Sequence, residues 1–204
     1  NEDVGLSALA IYSYETSGEL LPKDHDKVST YLNEVDRKSN NYFFNIKQAI
    51  NDTSTIGFIV DKVNRDTDTT LASGNRAFGQ TAANQDVASD SEKFILSYNY
   101  ESASQDDFVQ SLDAKFYVQN TLTSDMWYED RYGYEKRVSD YDLTDDTTGF
   151  DIQFGSNVNN HLLTYGVELS DTYNEFNQLK TFTNIFSGVT TNTEISRGSR
   201  TDYP

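Results

Sequence analysis

Along most of this chain apolar and polar residues alternate one by one, the period at which side chains of an extended strand fall on opposite faces. In "HLLTYGVELSDTY", Leu163, Tyr165, Val167 and Leu169 share one face, and Leu162, Thr164, Gly166, Glu168 and Ser170 the other. Six further segments carry the same signal. Gly5 to Thr16 places Leu6, Ala8, Ala10, Tyr12 and Tyr14 together. Tyr42 to Ile50 opposes Tyr42, Phe44 and Ile46 to Phe43, Asn45 and Lys47, and Thr55 to Val63 opposes Ile56, Phe58 and Val60 to Gly57, Ile59 and Asp61. "KFILSYNYE" sets Phe94, Leu96, Tyr98 and Tyr100 against Ile95, Ser97 and Asn99. "LDAKFYVQNTLTSDMWYED" sets Leu112, Ala114, Phe116 and Val118 against Asp113, Lys115, Tyr117 and Gln119, and "GFDIQFG" sets Phe150, Ile152 and Phe154 against Asp151 and Gln153. No helical periodicity of useful length interrupts them. The expectation is an all-β chain of about seven consecutive strands.

Alternation alone does not say what the apolar face meets, because a sheet packed on one side in water reads like one facing lipid. The joins between segments discriminate. "NDTS", "SASQDDFVQS" and "SNVNN" are short or moderate, whereas Leu20 to Asn41, Asp66 to Ser91, Arg131 to Thr148 and Phe176 to the end are long and polar. Short and long joins alternate, so an up-and-down sheet would gather tight turns at one end and long loops at the other. That asymmetry belongs to outer-membrane barrels. Tyr12, Tyr14, Tyr42, Tyr98, Tyr100, Trp127, Tyr128 and Tyr173, near strand ends, fit aromatic girdles. The opposite face, with Asn45, Lys47, Asp61, Asn99, Lys115, Asp151 and Glu168 among others, would line a watery lumen.

Composition narrows the classes. Aromatics reach 13%, with 14 Tyr and 12 Phe, both strand formers. A formal charge of −17, from 33 acidic against 16 basic residues, argues against general affinity for nucleic acid or anionic lipid surfaces, which select Lys and Arg. Cysteine is absent, which excludes disulfides and thiolate metal sites. No run of eighteen apolar residues could form a transmembrane helix. The chain starts without Met and stops in a polar stretch, and is expected to be a piece of something longer.

"VNRDTDTTLAS", "RYGYE", "DTTGFDIQFGS", "HLLTYGVELSDTYNEF" and the closing "TDYP", in that order and spacing, resemble the TonB-dependent outer-membrane receptors of the haem, haemoglobin, transferrin and lactoferrin group. The resemblance covers most of the chain. It implies that residues 1–204 are part of a transmembrane antiparallel up-and-down β-barrel with short periplasmic turns and long extracellular loops, lacking the plug domain and the last barrel strands. It further implies a Gram-negative outer-membrane location, with lipid around the barrel and TonB contacted through the missing plug. Haem, or a host protein carrying haem or iron, would be the partner at the loops. Haem would then be a transported ligand and not a covalently held cofactor. A siderophore receptor, or a soluble all-β surface binding or adhesion domain, are the alternatives. The loop pattern resembling "FRAP" and "NPDL" that marks haem receptors is not found here.

Only two histidines exist. His25, in "LLPKDHDKVSTYL", lies on the ligand side of that orientation and is the candidate haem contact, since a neutral imidazole ligates haem iron. Flanked by two aspartates, it also reads as an ordinary solvated residue. His161 follows a short turn and would sit on the periplasmic rim. Tyr31, Tyr132, Tyr134 and Tyr141 are further oxygen donors in or beside long joins. The groups Asp61, Asp66 and Asp68, and Asp140, Asp142, Asp145 and Asp146, invite a calcium reading, but neither has the spacing of an EF-hand loop. No G-x-S-x-G elbow, H-E-x-x-H or Walker loop is present, so no enzyme is expected.

Overall fold

The computed structural model describes residues 5–18, 34–70, 80–104, 107–131, 135–158 and 161–203. Eight strands form one sheet: β1 (Leu6–Ser17), β2 (Glu34–Asn51), β3 (Ser54–Thr70), β4 (Gln80–Glu101), β5 (Val109–Arg131), β6 (Glu135–Val158), β7 (His161–Asn184) and β8 (Thr190–Tyr203). Their order in the sheet is their order in sequence, every neighbouring pair is antiparallel, and β1 is not paired with β8. The fold is therefore all-β and up-and-down, as the alternation indicates, but the sheet is open and has eight strands where seven were expected.

The eighth strand and the far halves of the others explain the difference. β6 and β7 each run for 24 residues, and β5 for 23. The polar segments read as long joins, around 34–41, 80–91, 135–148 and 176–184, are strand, because pairing depends on the hydrogen-bond ladder and not on an oily face. Both sides of these segments carry hydroxyls, amides and carboxylates, so no apolar alternation marks them. Cross-strand side-chain pairs take its place. Ser91 and Thr121 hydroxyls lie 3.2 Å apart, those of Ser89 and Thr123 3.3 Å, and Asn120 Nδ2 donates to Asp146 Oδ1 at 3.0 Å. β8 is threonine- and serine-rich, with Ile195 its one aliphatic residue larger than Gly.

Connections at one end remain short. Residues 52–53 join β2 to β3, where Asn51 Oδ1 accepts from Thr53 N and Oγ1 at 3.0 Å each, and residues 159–160 join β6 to β7. Residues 102–108, joining β4 to β5, are the longest connection at that end; at the opposite, far end residues 18–33 and 71–79 make longer connections, but three residues separate β5 from β6 and five separate β7 from β8, so the long joins expected there are confined to the first two. The β7–β8 turn is tied by Asn184 Oδ1, which accepts from Phe186 N and Ser187 N, and closes on Gly188 at φ +66°, a conformation glycine adopts without cost.

Among the described residues there is no second layer. The apolar faces of the strands do not pack on one another: Leu96 is 52% exposed, Phe116 46% and Val167 55%. The polar face is crowded instead. A Cβ at Gly149 would overlap the Tyr117 ring lying over it, and one at Gly166 would overlap the Ile152 carbonyl oxygen.

Candidate functional site

Register assembles the alternating residues into one continuous surface. A single cross-strand row joins Ala8, Ile46, Phe58, Leu96, Phe116, Phe150 and Leu169. The row beside it joins Leu6, Gln48, Ile56, Tyr98, Ala114, Ile152 and Val167. About four such rows across seven strands make an apolar patch on the order of 600 Å² in projection, at roughly 4.8 Å between strands and 3.3 Å per residue. Contiguous exposed patches on soluble monomers seldom exceed a few hundred Å².

The band is not perpendicular to the strands. Its uninterrupted apolar run ends toward the far end at Tyr14 in β1, Tyr42 in β2, Val60 in β3, Phe94 in β4, Val118 in β5, Phe150 in β6 and Leu169 in β7. Carried across the register, Tyr14 aligns with Glu175 on β7. Leu169 lies six residues short of it, so the edge falls six residues in six strand steps. An average of one residue per step means strands inclined about 35° from the normal to the level band. Transmembrane barrel strands tilt by about 35–45°.

Tyrosines stand at parts of both rims of the band, while Val60, Val118 and Leu169 end it elsewhere. Tyr12 and Tyr42 rings lie 5.1 Å apart at the far rim, with Tyr14 beside them. At the opposite rim the Tyr98 hydroxyl is 3.2 Å from Ser54 Oγ, and the Tyr165 hydroxyl 3.2 Å from Ser156 Oγ. Tyr100 lies in the row of Ser54 and Leu112. Five of the eight residues expected at girdles thus sit at the band's rims. Tyr173 stands four residues beyond Leu169 and Tyr128 ten beyond Val118, while Trp127 falls on the polar face, because it is an odd-numbered residue of β5 like Lys115 and Tyr117.

Charge is sorted by face. On the banded face the described carboxylates are Asp36, Asp66, Asp68, Asp86, Asp90, Glu92, Asp130, Asp140, Asp142, Asp146, Asp171, Glu175 and Glu194. The cations there are Lys38, Lys62, Lys136 and Arg200. All of them lie on the far side of the band, and none within it. Lys62 pairs with Glu92, and Arg200 with Asp171, in direct cross-strand contacts. Asn177 and Tyr173 donate to Glu175 at 2.9 and 3.0 Å, which holds its carboxyl below the usual range.

The polar face is nearly balanced, with Arg37, Lys47, Arg65, Lys93, Lys115, Arg131, Arg137, Lys180 and Arg197 set among ten described carboxylates. Level with the apolar band, Lys115 pairs with Asp113 at 2.9 Å and Lys93 Nζ stands 5.8 Å over the Tyr117 ring. Farther out, Arg137 binds Glu135, and this hydrogen bond lowers the Glu135 carboxyl below its ordinary value.

Period-two geometry also disperses the aspartate runs. Asp61 points to the polar face and Asp66 and Asp68 to the banded face, and Asp145 is separated from Asp140, Asp142 and Asp146 in the same way. Among the described residues no three His, Cys, Asp or Glu side chains gather around a metal position. His161 opens β7 opposite Val158, at the short-turn end. His25, Tyr31, Tyr132 and Tyr134 lie outside the described residues, and Tyr141 is on β6, facing the polar side.

No family model matches this chain, and no curated protein matches it either. Its own geometry defines a single-sheet, up-and-down all-β protein with one oily, tilted band and one polar wall.

Proposed function

We propose that the chain is wall of an outer-membrane β-barrel belonging to a TonB-dependent receptor that takes up haem, or iron from haemoglobin or a related host protein. The tilt of the apolar band carries the membrane part of this reading. A strip that must stay level in a flat bilayer has to fall across the register when the strands are inclined. This one falls in three steps of two residues, at β1/β2, β2/β3 and β5/β6, with Val60, Phe94 and Val118 in one row and Phe150 and Leu169 in another, and its average slope is that of barrel strands. In a sheet packed on a second layer nothing requires such a strip to be level. The receptor part rests on the sequence resemblance, whose segments "DTTGFDIQFGS" and "HLLTYGVELSDTYNEF" fall on the paired strands β6 and β7.

In this reading the band meets lipid, the polar face lines the lumen, and the extended far halves rise on the outside, where ligand is captured before a TonB-driven plug rearrangement admits it. The wall binds and guides and performs no covalent chemistry. A siderophore as cargo is the alternative.

The chain has no cysteine, so single replacements take a fluorophore directly. Labels at Phe116 and Val118 are expected to be quenched by nitroxide lipids in phospholipid vesicles, and labels at Lys115 and Tyr117 to be spared. Equal quenching at all four positions would remove lipid from the banded face. Haem as cargo is read separately, from a Soret shift on adding haem to the folded chain. A contact through His25 predicts that His25→Ala weakens it about tenfold or more, and an unchanged titration dismisses that residue.

A further inference from the structure

The two edges of the sheet differ. β8 carries Glu194, Arg197 and Arg200, charges of the kind that keep an exposed edge strand from pairing. β1 carries none from Leu6 to Tyr14, has no proline, and runs against β2 without a bulge. All twelve of its residues are exposed, and besides the apolar set on the banded face, Leu9 and Ile11, each 50% exposed, stand on the polar face. The side of β1 away from β2 also presents backbone. Ala49 N donates to Gly5 O at 2.9 Å, one step beyond the opposed Leu6 and Gln48, which makes Gly5 and Ala49 a hydrogen-bonded pair of the antiparallel ladder. Such pairs recur at every second residue. The odd-numbered residues of β1 therefore bond to β2, while the N–H and C=O groups of Leu6, Ala8, Ala10, Tyr12 and Tyr14 point away from the sheet. Among the described residues no strand lies beyond them.

We propose that this edge pairs with the same edge of a second copy of the chain, antiparallel and centred on Ala10. About a two-fold axis at Ala10 the strand is complementary to itself: Leu6 meets Tyr14, Ala8 meets Tyr12, and on the other face Ser7 meets Ser13 and Leu9 meets Ile11. Each tyrosine thus lies against a smaller residue, and hydroxyls and aliphatic groups meet their own kind. Glu15 falls opposite Gly5, so the two glutamates stand at opposite ends. The outward backbone groups exchange about ten hydrogen bonds. Because the axis is perpendicular to the sheet, both copies keep their apolar band on one side, and the bands meet flush from Leu6 to Tyr14. Self-complementary pairing of this kind stops at two copies. The overlap from Gly5 to Glu15 is about 35 Å long in a sheet about 10 Å thick, which buries roughly 700 Å² over the two copies. That is small for a specific interface, so the dimer is concentration-dependent. The axis also sends the far halves of the two copies to opposite ends. The association therefore belongs to the chain in detergent or in solution, and it goes beyond the proposed function without resting on it.

Cysteine is absent, so a single introduced one marks the axis. For the folded full chain in detergent, sedimentation equilibrium is expected to show the mass rising from one chain to two across the micromolar range, and no further. Ala10→Cys sets the two Cα atoms about 5.5 Å apart and is expected to cross-link into a disulfide dimer under mild oxidation. Ser13→Cys leaves its two copies about 20 Å apart along the strands and is expected not to. Ala10→Pro removes an outward N–H without breaking a bond to β2, and should weaken the dimer at least tenfold. On the other edge, Asn184 N donates to Val189 O, so by the same alternation the Asn192 N–H points outward. Asn192→Pro should therefore leave the dimer unchanged. Far-ultraviolet circular dichroism shows whether each variant keeps its sheet, and if Ala10→Pro does not, the two cysteine variants still decide. A monomer at every concentration, higher species in place of a dimer, equal cross-linking of the two cysteine variants, or loss of the dimer in Asn192→Pro overturns the proposal. The lipid-quenching measurement reads residues 115–118 on β5, so failure of the wall assignment and failure of this dimer are distinguishable.

Discussion

Phe116→Arg is expected to abolish stable insertion of the chain into phospholipid vesicles, while Gln119→Arg, three residues along the same strand, leaves it intact. Phe116 stands in the middle row of the band, between Leu96 and Phe150, with no charged group on that face anywhere in the band. A guanidinium there has no partner to neutralise it. At the midplane of a bilayer its insertion costs about 2–4 kcal/mol, and less near the interfaces. Gln119 faces the other way, directly opposite Lys93 and Thr147 on the polar face, with Asp61 one strand beyond Lys93, so an added cation there stays in water and carries only the modest cost of a like-charged neighbour. The comparison, read as the fraction of chain co-floating with vesicles, isolates facing direction from strand propensity. Equal loss from both variants would mean that the band does not face lipid.

Gly149→Val and Gly166→Val should both destabilise the sheet, but only the first should be rescued by a second change. A Cβ at Gly149 collides with the Tyr117 side chain, which can be removed, so Tyr117→Ala is expected to restore most of the loss. Overpacking of this kind costs about 1–3 kcal/mol. At Gly166 the obstruction is backbone: the Ile152 carbonyl oxygen, with Gln153 Cα at 3.1 Å. Relief there requires moving β6 itself, and no side-chain truncation supplies it. The cost should therefore lie at or above the upper end of that range. Urea titration of the four proteins in detergent, read by tyrosine and Trp127 fluorescence, tests the pair. Rescue of Gly166→Val by trimming a neighbour would contradict the crowding on the polar face.

The turn at Asp52 and Thr53 falls where "NDTS" places it, because turn-forming side chains act locally, and β6 ends at Val158 within "SNVNN". The far half of β6 and the whole of β8 escaped notice for the opposite reason. Their residues are polar on both faces, and their pairing depends on a neighbouring strand already in register. Threonine and serine abundance in "TTNTEISRGSRTDY" was the available signal, since β-branched residues favour strands. Extending the period-two count through "YDLTDD" would also have divided Asp145 from its neighbours and removed the calcium reading. The same count would have moved Trp127 from girdle to polar wall.

By itself, the sequence determined that the chain is extended throughout its apolar segments and which side of each segment is oily, because alternation follows from strand geometry alone. Only the tertiary structure decided how those sides align. Register is set cooperatively by hydrogen-bond ladders between strands, and a slip of one residue would turn a strand's oily side around. The level of the band and the excess of carboxylates over cations on its face both depend on that alignment.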